Sequence, residues 1–211
     1  REAPVRVEQH LATLKEWYQQ SKELSVQNNS LHDSEPFRPD ERVYTSVIST
    51  WAKSGDAHAG NRAAELLQEM KETPGLIPNK VVYSAVLDAM AKSGQADEAR
   101  ALLNEMLRLY FTKEGNTTVQ PDVYAFSCVM AAYAHAGQAE AAQGVLQEME
   151  TLYEQTRDDK FRPNNVCYTI LIGAFAATGE PRRAEAILQR MMESPYDSVK
   201  PNVVSFNQVL H

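Results

Sequence analysis

Apolar residues recur along this chain at helical spacing, and one arrangement of them appears four times. In each copy an aromatic residue is followed eleven positions later by glycine, as in Tyr44 and Gly55, Tyr83 and Gly94, Phe126 and Gly137, and Tyr168 and Gly179. A small-x-x-apolar-Leu-x-x-Met cluster then follows, beginning at Ala63, Ala99, Ala142 and Ala184. Self-similarity of this kind is typical of repeat proteins.

The second copy shows which elements the pattern predicts. Its first apolar stripe predicts a helix over about residues 80–93. Ser93-Gly94 ends that helix, because glycine adopts the left-handed conformation without a steric penalty. A second helix begins near Asp97, whose carboxylate favours a helix N-terminus. Its small and large apolar residues then pack on the partner helix. Each copy is therefore a helical hairpin.

A proline followed by Asn or Asp separates one copy from the next. These pairs bound four complete repeats at residues 41–79, 80–122, 123–164 and 165–202, and residues 203–211 begin a further one. The repeats are 39, 43, 42 and 38 residues long, and they differ mainly in the connection after the methionine. Residues 1–40 are predicted to be the second helix and long connection of a truncated repeat. In that helix Val7, Leu11, Leu14 and either Trp17 or Tyr18 face inward, and the connection runs from Ser25 to Pro36. We interpret the chain as a piece of a longer protein.

A single hairpin cannot bury its own apolar stripe, whereas stacked hairpins share one core. The predicted fold is therefore all-α, a right-handed α-solenoid (superhelix) of stacked antiparallel helical hairpins forming one continuous array. Its first helices are expected to line the concave side.

Composition and motifs exclude several classes of function. The net charge of −7 argues against a broad polybasic surface, and no apolar run is long enough for a membrane span. The five histidines have no partner at zinc-site spacing, and no catalytic motif or phosphate-binding loop occurs. We therefore expect no enzyme activity, cofactor, metal, small-molecule substrate or membrane contact. Cys128 and Cys167 are interpreted as two small, half-buried thiols.

The repeat resembles the pentatricopeptide repeat family. The resemblance rests on Lys80 to Leu87, Ala91 to Gly94, Asp97 to Ala99, Glu105-Met106 and Pro121-Asp122. It covers residues 41–211 strongly and 5–40 partly. Tetratricopeptide repeats lack the closing Pro-Asn/Asp, and their Trp-Leu-Gly-Tyr signature is missing here. Family repeats are about 35 residues long, so these copies exceed that length by three to eight residues.

The resemblance implies binding of single-stranded RNA, with one base per repeat recognised by two or three side chains. The first recognition residue follows the repeat aromatic, and the second is the Asn or Asp that closes the repeat. By the family's pairing rule, Thr or Ser with Asn favours adenine and Ser with Asp favours guanine, which gives 5′-A-G-A-A-3′. The first recognition residues are Thr45, Ser84, Ser127, Thr169 and Asn207, and the second are Asn79, Asp122, Asn164 and Asn202.

Two further sets of positions follow from the resemblance. Base stacking is implied for the residues two before the aromatic, namely Arg42, Val81, Tyr124, Val166 and Val204. Phosphate contact is implied for the cations two before the glycine, namely Lys53, Lys92 and His135, whereas the fourth copy has Ala177 there.

The role of the closing Asn and Asp residues remains open, because both residue types are also typical helix N-caps.

Two hypotheses remain open for the function of the chain. The first functional hypothesis is an RNA-binding module of an organellar factor (mitochondrion or chloroplast) that acts in transcript stability, processing or translation. The alternative is a protein-protein scaffolding array within an organellar ribosome or other large assembly.

Overall fold

The computed structural model describes residues 3–27, 38–112 and 117–210. Within these ranges the secondary structure is helical, with ten α-helices and no β-strand. The helices are α1 (Ala3–Gln27), α2 (Glu41–Ser54), α3 (Ala59–Glu72), α4 (Lys80–Lys92), α5 (Ala96–Tyr110), α6 (Val123–His135), α7 (Ala139–Thr156), α8 (Asn165–Ala177), α9 (Pro181–Glu193) and α10 (Val203–Leu210).

The chain divides into two compact units, Arg1–Ala89 and Met90–His211, and the division falls within α4. In the first unit α1 packs against α2, and α2 packs against α3. In the second unit α6 packs against α5, α7 and α8, and α8 also packs against α9 and α10. The hairpins within each unit therefore share a core, as the repeat pattern predicts. The repeat bounds themselves stay a prediction.

The small-to-methionine cluster forms the buried face of each second helix. Ala63, Ala99, Ala142 and Ala184 are each 0% exposed, as are the methionines that end the four clusters, Met70, Met106, Met149 and Met191. The repeat aromatics Tyr44, Tyr83, Phe126 and Tyr168 are buried as well, at 6% exposure or less. The residues that pack the two helices of a hairpin against each other are therefore the ones that recur in the sequence.

In the three later hairpins, the turn between the two helices contains a glycine with a left-handed backbone conformation. Gly94, Gly137 and Gly179 have φ of 73°, 71° and 79°. In the third copy the Gly137 amide donates to the carbonyl of Ala134, and the Gln138 amide donates to that of Tyr133. This pair of bonds is the Schellman motif, which satisfies carbonyls at the helix end and needs a left-handed residue.

Replacing Gly137 with alanine will lower the free energy of unfolding by about 1 kcal/mol, because a side chain raises the energy of the left-handed conformation. A Cβ at this position meets no atom within 4 Å, so the effect is conformational and not steric. Gly144→Ala is the matched control. Gly144 lies inside α7, where alanine is about 1 kcal/mol better than glycine. Urea unfolding of both variants checks the prediction, and a change of the same sign in both would contradict it.

The long connections contain short 3-10 turns at Thr117–Val119, Asp159–Phe161 and Asp197–Val199. Each turn ends in a buried apolar residue: Val119, Phe161 and Val199 are 1%, 0% and 6% exposed. Each of them lies two positions before the proline that closes its repeat. Leu76 has the same position in the first connection, and so does Phe37 before Pro39, although Phe37 lies outside the described residues. The connections are therefore anchored in the core, which the sequence interpretation did not predict.

The N-terminal helix differs from its predicted extent. The connection predicted from Ser25 starts later, because α1 continues to Gln27, and most of it lies outside the described residues. Leu11 is buried in α1, whereas Trp17 is 51% exposed and Tyr18 is half-buried, so Tyr18 is the inward-facing residue of the two alternatives.

Cys128 and Cys167 are 6% and 0% exposed, so the prediction of half-buried thiols was wrong, and no disulfide joins them. Among the described residues, no helix has the length and apolar character needed to cross a membrane. No group of His, Cys, Asp or Glu in the described ranges is arranged to hold a metal ion.

Candidate nucleic-acid interface

The Asn or Asp that closes each repeat caps the helix that follows it. Asp122 Oδ1 accepts from the amides of Tyr124 (3.1 Å) and Ala125 (3.2 Å), and Asn164 Oδ1 accepts from that of Val166 (3.0 Å). Asn79 and Asn202 form the corresponding bonds. The capping interpretation is therefore confirmed. It uses one side-chain oxygen of each residue and so fixes the side chain.

The first recognition residues lie on the first helices and bond to their own backbone. The hydroxyls of Thr45, Ser127 and Thr169 donate to the carbonyls of Glu41, Tyr124 and Asn165 at 2.6–2.8 Å. These bonds fix the rotamer and leave the oxygen lone pairs as acceptors. All three residues, and Ser84 on α4, are half-buried.

In the first unit, the structure brings both recognition residues of the first repeat into one groove. This surface, the Thr45 groove, is lined by Thr45 and Asn79 and is flanked by Arg42 and Val81. Glu41 also lines it, and its carboxylate accepts a hydrogen bond from Asn79 Nδ2. Predicted recognition and stacking residues therefore meet here, although an acidic side chain holds one of them.

In the second unit, the third repeat forms a corresponding surface, the Ser127 groove. Ser127 and Asn164 line it together with Tyr124 and Val166, and Asp122 and Lys160 complete the lining. The Cys167 thiol lies 3.7 Å from Asn164 Oδ1, and burial raises the pKa of this thiol, so it stays protonated and donates. The Thr45 and Ser127 grooves have volumes of about 670 and 440 Å³, within the range of ligand sites.

A buried serine of the partial repeat on α10 lies between the two recognition residues of the fourth repeat. Ser205 is 0% exposed, and its hydroxyl lies 2.8 Å from that of Thr169 and 3.1 Å from Asn202 Oδ1. The corresponding positions in earlier repeats are apolar or thiol-bearing. This repeat therefore joins its recognition pair through a hydroxyl that the sequence pattern did not single out. Asn207 is exposed on α10.

The predicted stacking residues are exposed although most of them are apolar. Val81, Tyr124, Val166 and Val204 are 56%, 51%, 48% and 53% exposed, and Arg42 is exposed as well. These exposed side chains recur at one position of the repeat.

The predicted phosphate contacts are all at the surface. Lys53, Lys92 and His135 are exposed near the ends of α2, α4 and α6, as is Ala177 at the end of α8. His135 Nδ1 lies 3.3 Å from the carbonyl oxygen of Ala91, so one ring nitrogen contacts the backbone.

Ser84 lies in the first unit and Asp122 in the second. The pairing of these two recognition residues therefore stays a prediction.

A separate cavity of about 430 Å³ lies in the second unit beside the second helices. In its lining, Glu150 accepts from the Tyr168 hydroxyl (2.7 Å) and from Arg190 (2.9 Å). Burial and this bond raise the pKa of Tyr168. The guanidinium of Arg162 packs over the ring of Tyr196 at 3.9 Å. These contacts indicate a structural role.

The hairpins define a helical-repeat protein, and corresponding grooves lie on the first helices of its first and third repeats. The pentatricopeptide repeat model matches residues 81–111 and 124–152, and the model described as a pentatricopeptide repeat domain matches residues 151–211. Together these matches cover more than half of the chain. The chain belongs to the pentatricopeptide repeat family.

A chloroplastic pentatricopeptide repeat-containing protein of Arabidopsis thaliana is 28% identical over 178 residues, which are 84% of this chain and 20% of that relative. This chain therefore spans about one fifth of the relative's length.

Solved structures of the family share the fold. PPR10 in complex with an 18-nt psaJ RNA element superposes with a TM-score of 0.64 at 24% identity, over 86% of this chain and 25% of PPR10. PPR10 from maize superposes with a TM-score of 0.63 at 24% identity, over 89% of this chain and 24% of PPR10. Nuclear proteinaceous RNase P 2 of A. thaliana gives 0.58 at 16% identity, over 92% and 39%. The predicted fold class, an α-solenoid of helical hairpins, is confirmed.

Proposed function

We propose that this chain is a single-stranded RNA-binding module in which the grooves on the first helices each hold one base. The observation that carries the proposal is the Ser127 groove. There, two fixed hydrogen-bonding residues, Ser127 and Asn164, line one groove together with two exposed side chains, Tyr124 and Val166. An exposed aromatic side chain, an exposed aliphatic side chain and fixed polar groups in one groove match the chemistry of an unstacked nucleobase.

The polar atoms of the Ser127 groove match adenine. Asn164 Oδ1 is held by backbone amides, and among the described residues no hydrogen bond from its Nδ2 is found. That amide group can donate to a ring nitrogen of adenine, and the Ser127 hydroxyl, which donates to the Tyr124 carbonyl, keeps a lone pair that can accept from the exocyclic amine. An Asp in the same place only accepts, which suits the N–H groups of guanine.

Extending this chemistry over the four repeats gives the proposed preference 5′-A-G-A-A-3′, one base per repeat. Binding of the 18-nt RNA element by PPR10 supports an RNA ligand, and the name of the Arabidopsis relative supports a chloroplast. Within an organelle, we propose that binding sequesters or positions a transcript and thereby affects its stability, processing or translation. The residues of this chain carry out no chemical step in this proposal.

The experiment that tests this function compares two RNAs at two salt concentrations. At both salt concentrations, a fluorescent RNA containing A-G-A-A should bind more tightly than a pyrimidine RNA of equal length. Both affinities should fall as salt rises, because phosphate contacts release counterions. Equal affinity for the two RNAs in both salts would reject base recognition, and no binding of either would favour the protein-scaffolding alternative.

Within the Thr45 groove, Glu41→Gln should raise RNA affinity by about twofold to threefold at low salt. Glutamine keeps the shape of the side chain beside Asn79 but removes a negative charge. At about 8 Å from a phosphate in water, that charge costs about 0.5 kcal/mol. Glu65→Gln is the control, because Glu65 lies on α3 and pairs with Arg62. Fluorescence anisotropy of both variants measures the effect, and an equal gain in both would show that the change is not specific to the groove.

A further inference from the structure

The connection between α7 and α8 is fixed by a polar network centred on the buried Gln120. Gln120 is 5% exposed, and its Nε2 donates to the Tyr110 hydroxyl (2.9 Å) and to the Asp158 carboxylate (2.6 Å). Its Oε1 accepts a hydrogen bond from the ammonium of Lys160. Gln120 belongs to the connection between α5 and α6, so the network joins two successive long connections. A buried amide with both ends paired restricts the groups bonded to it.

The backbone around Lys160 is fixed as well. Asp158 Oδ1 accepts from the Lys160 amide at 3.0 Å and so caps the 3-10 turn. The next residue, Phe161, is 0% exposed, and its ring centroid lies 6.0 Å from that of Tyr110 and 6.1 Å from that of Phe126. Lys160 is therefore held in place by its own backbone, by its neighbour and by its ammonium group.

The ammonium that this network positions belongs to the Ser127 groove. Lys160 is exposed and lines that groove with the recognition residues Ser127 and Asn164. A lysine ammonium has three donors, and Gln120 takes one of them, so two remain toward solvent. A compact cation beside a base-sized groove suits a phosphate oxygen.

The position of Lys160 also gives the third repeat a cation that its helices do not provide. The third and fourth copies carry His135 and Ala177 where the first two have lysine, and His135 contacts a backbone carbonyl. Since phosphate neutralisation supplies much of the affinity for nucleic acids, a cation elsewhere in the third repeat would replace the missing lysine. The long connection supplies it at Lys160.

From this geometry, we infer that Lys160 is a phosphate contact of the Ser127 groove, placed there by Gln120 and by the extended connection. The inference rests on the proposed function, because it assigns a contact within the same RNA-binding surface. It gives the extra length of the third repeat a role in binding.

The test measures the salt dependence of RNA affinity for Lys160→Met. Loss of one phosphate contact on a single strand should lower affinity by about fivefold at 0.1 M salt and reduce the slope of log K against log salt by about 0.7. Lys160→Arg should restore the slope. Lys200→Met is the matched control, because it removes the same charge from the next connection, where the ammonium donates to the carbonyl of Met192 at 2.9 Å. That variant should keep the wild-type slope.

A second arm places a neutral methylphosphonate at successive positions of the RNA. At the position that faces Lys160, the modified RNA and Lys160→Met should each cost affinity, and the combination should cost little more than either alone. If the two losses add at every position, or if Lys160→Met behaves like Lys200→Met, the assignment is overturned. Base recognition is scored separately, by the ratio of A-G-A-A to pyrimidine RNA. If only the Lys160 assignment fails, the variants keep the wild-type preference for A-G-A-A RNA. If the proposed function fails, the ratio is one for the wild type and for every variant.

Discussion

Phe161→Ala is expected to lower the free energy of unfolding by about 3–5 kcal/mol, the cost of removing a fully buried aromatic side chain. Phe161 is 0% exposed although it lies in a connection between helices. Its ring meets Tyr110 and Phe126 edge-on and stacks on Phe111 at 6.2 Å. Alanine would leave a cavity among these rings and would free the turn that carries Lys160.

Urea unfolding monitored by circular dichroism measures this loss. Phe111→Ala is the control, because Phe111 belongs to the same aromatic cluster but is 51% exposed. Half of its ring stays in water in the folded protein, so its replacement should cost about 1 kcal/mol. Equal costs for the two variants would show that the connection is not anchored in the core and would contradict the account of its 3-10 turn.

Asn164→Asp is expected to change the preferred third base from adenine to guanine. The ratio of affinities for A-G-A-A and A-G-G-A should change by between about fivefold and more than a hundredfold, since a good side-chain-to-base pair is worth about 1–3 kcal/mol of discrimination. The substitution suits this test because Asp and Asn are equally good helix N-caps. The α8 N-terminus and the stability of the second unit should therefore change little.

Affinities of both proteins for both RNAs measure the change. Asn165→Asp is the matched control, because it adds the same charge one residue later, at the first position of α8. It should weaken binding of both RNAs by a similar factor and leave their ratio unchanged. A ratio that stays constant in Asn164→Asp, or that changes equally in both variants, would contradict the assignment of Asn164 as the second recognition residue.

Much of the fold was predictable from the sequence, because the residues that build the hairpins recur. Gly94 and Gly137 end helices in the left-handed conformation, as their distance from the repeat aromatic predicts. Ala99 and Met106 are fully buried, as the spacing of the second-helix cluster predicts. These features are local, since helix periodicity and cap chemistry act within a few residues.

The anchored connections were not predicted, because they have no helical periodicity. Their signal is an apolar residue two positions before the closing proline, as in Phe161 before Pro163. It becomes visible only when the connections are aligned on that proline. Without it, the pattern shows the connections only as the segments in which the repeats differ in length.

The groove contents were predicted in part. Recognition and stacking positions meet in the Thr45 and Ser127 grooves as expected from the resemblance. Glu41, Lys160 and Ser205 were missed, since each acts on a residue distant in sequence: Asn79, Gln120 and Thr169. Such contacts depend on how hairpins stack, which the pattern within one repeat does not specify.

The central claim, that successive repeats recognise successive bases, is tested most directly by selecting RNAs from a pool randomised at every position. The wild-type chain should enrich A-G-A-A at four consecutive positions, and the third of these should be adenine because of Ser127 and Asn164. Bound RNA with the base composition of the starting pool, or enrichment of a pyrimidine sequence, would contradict the account.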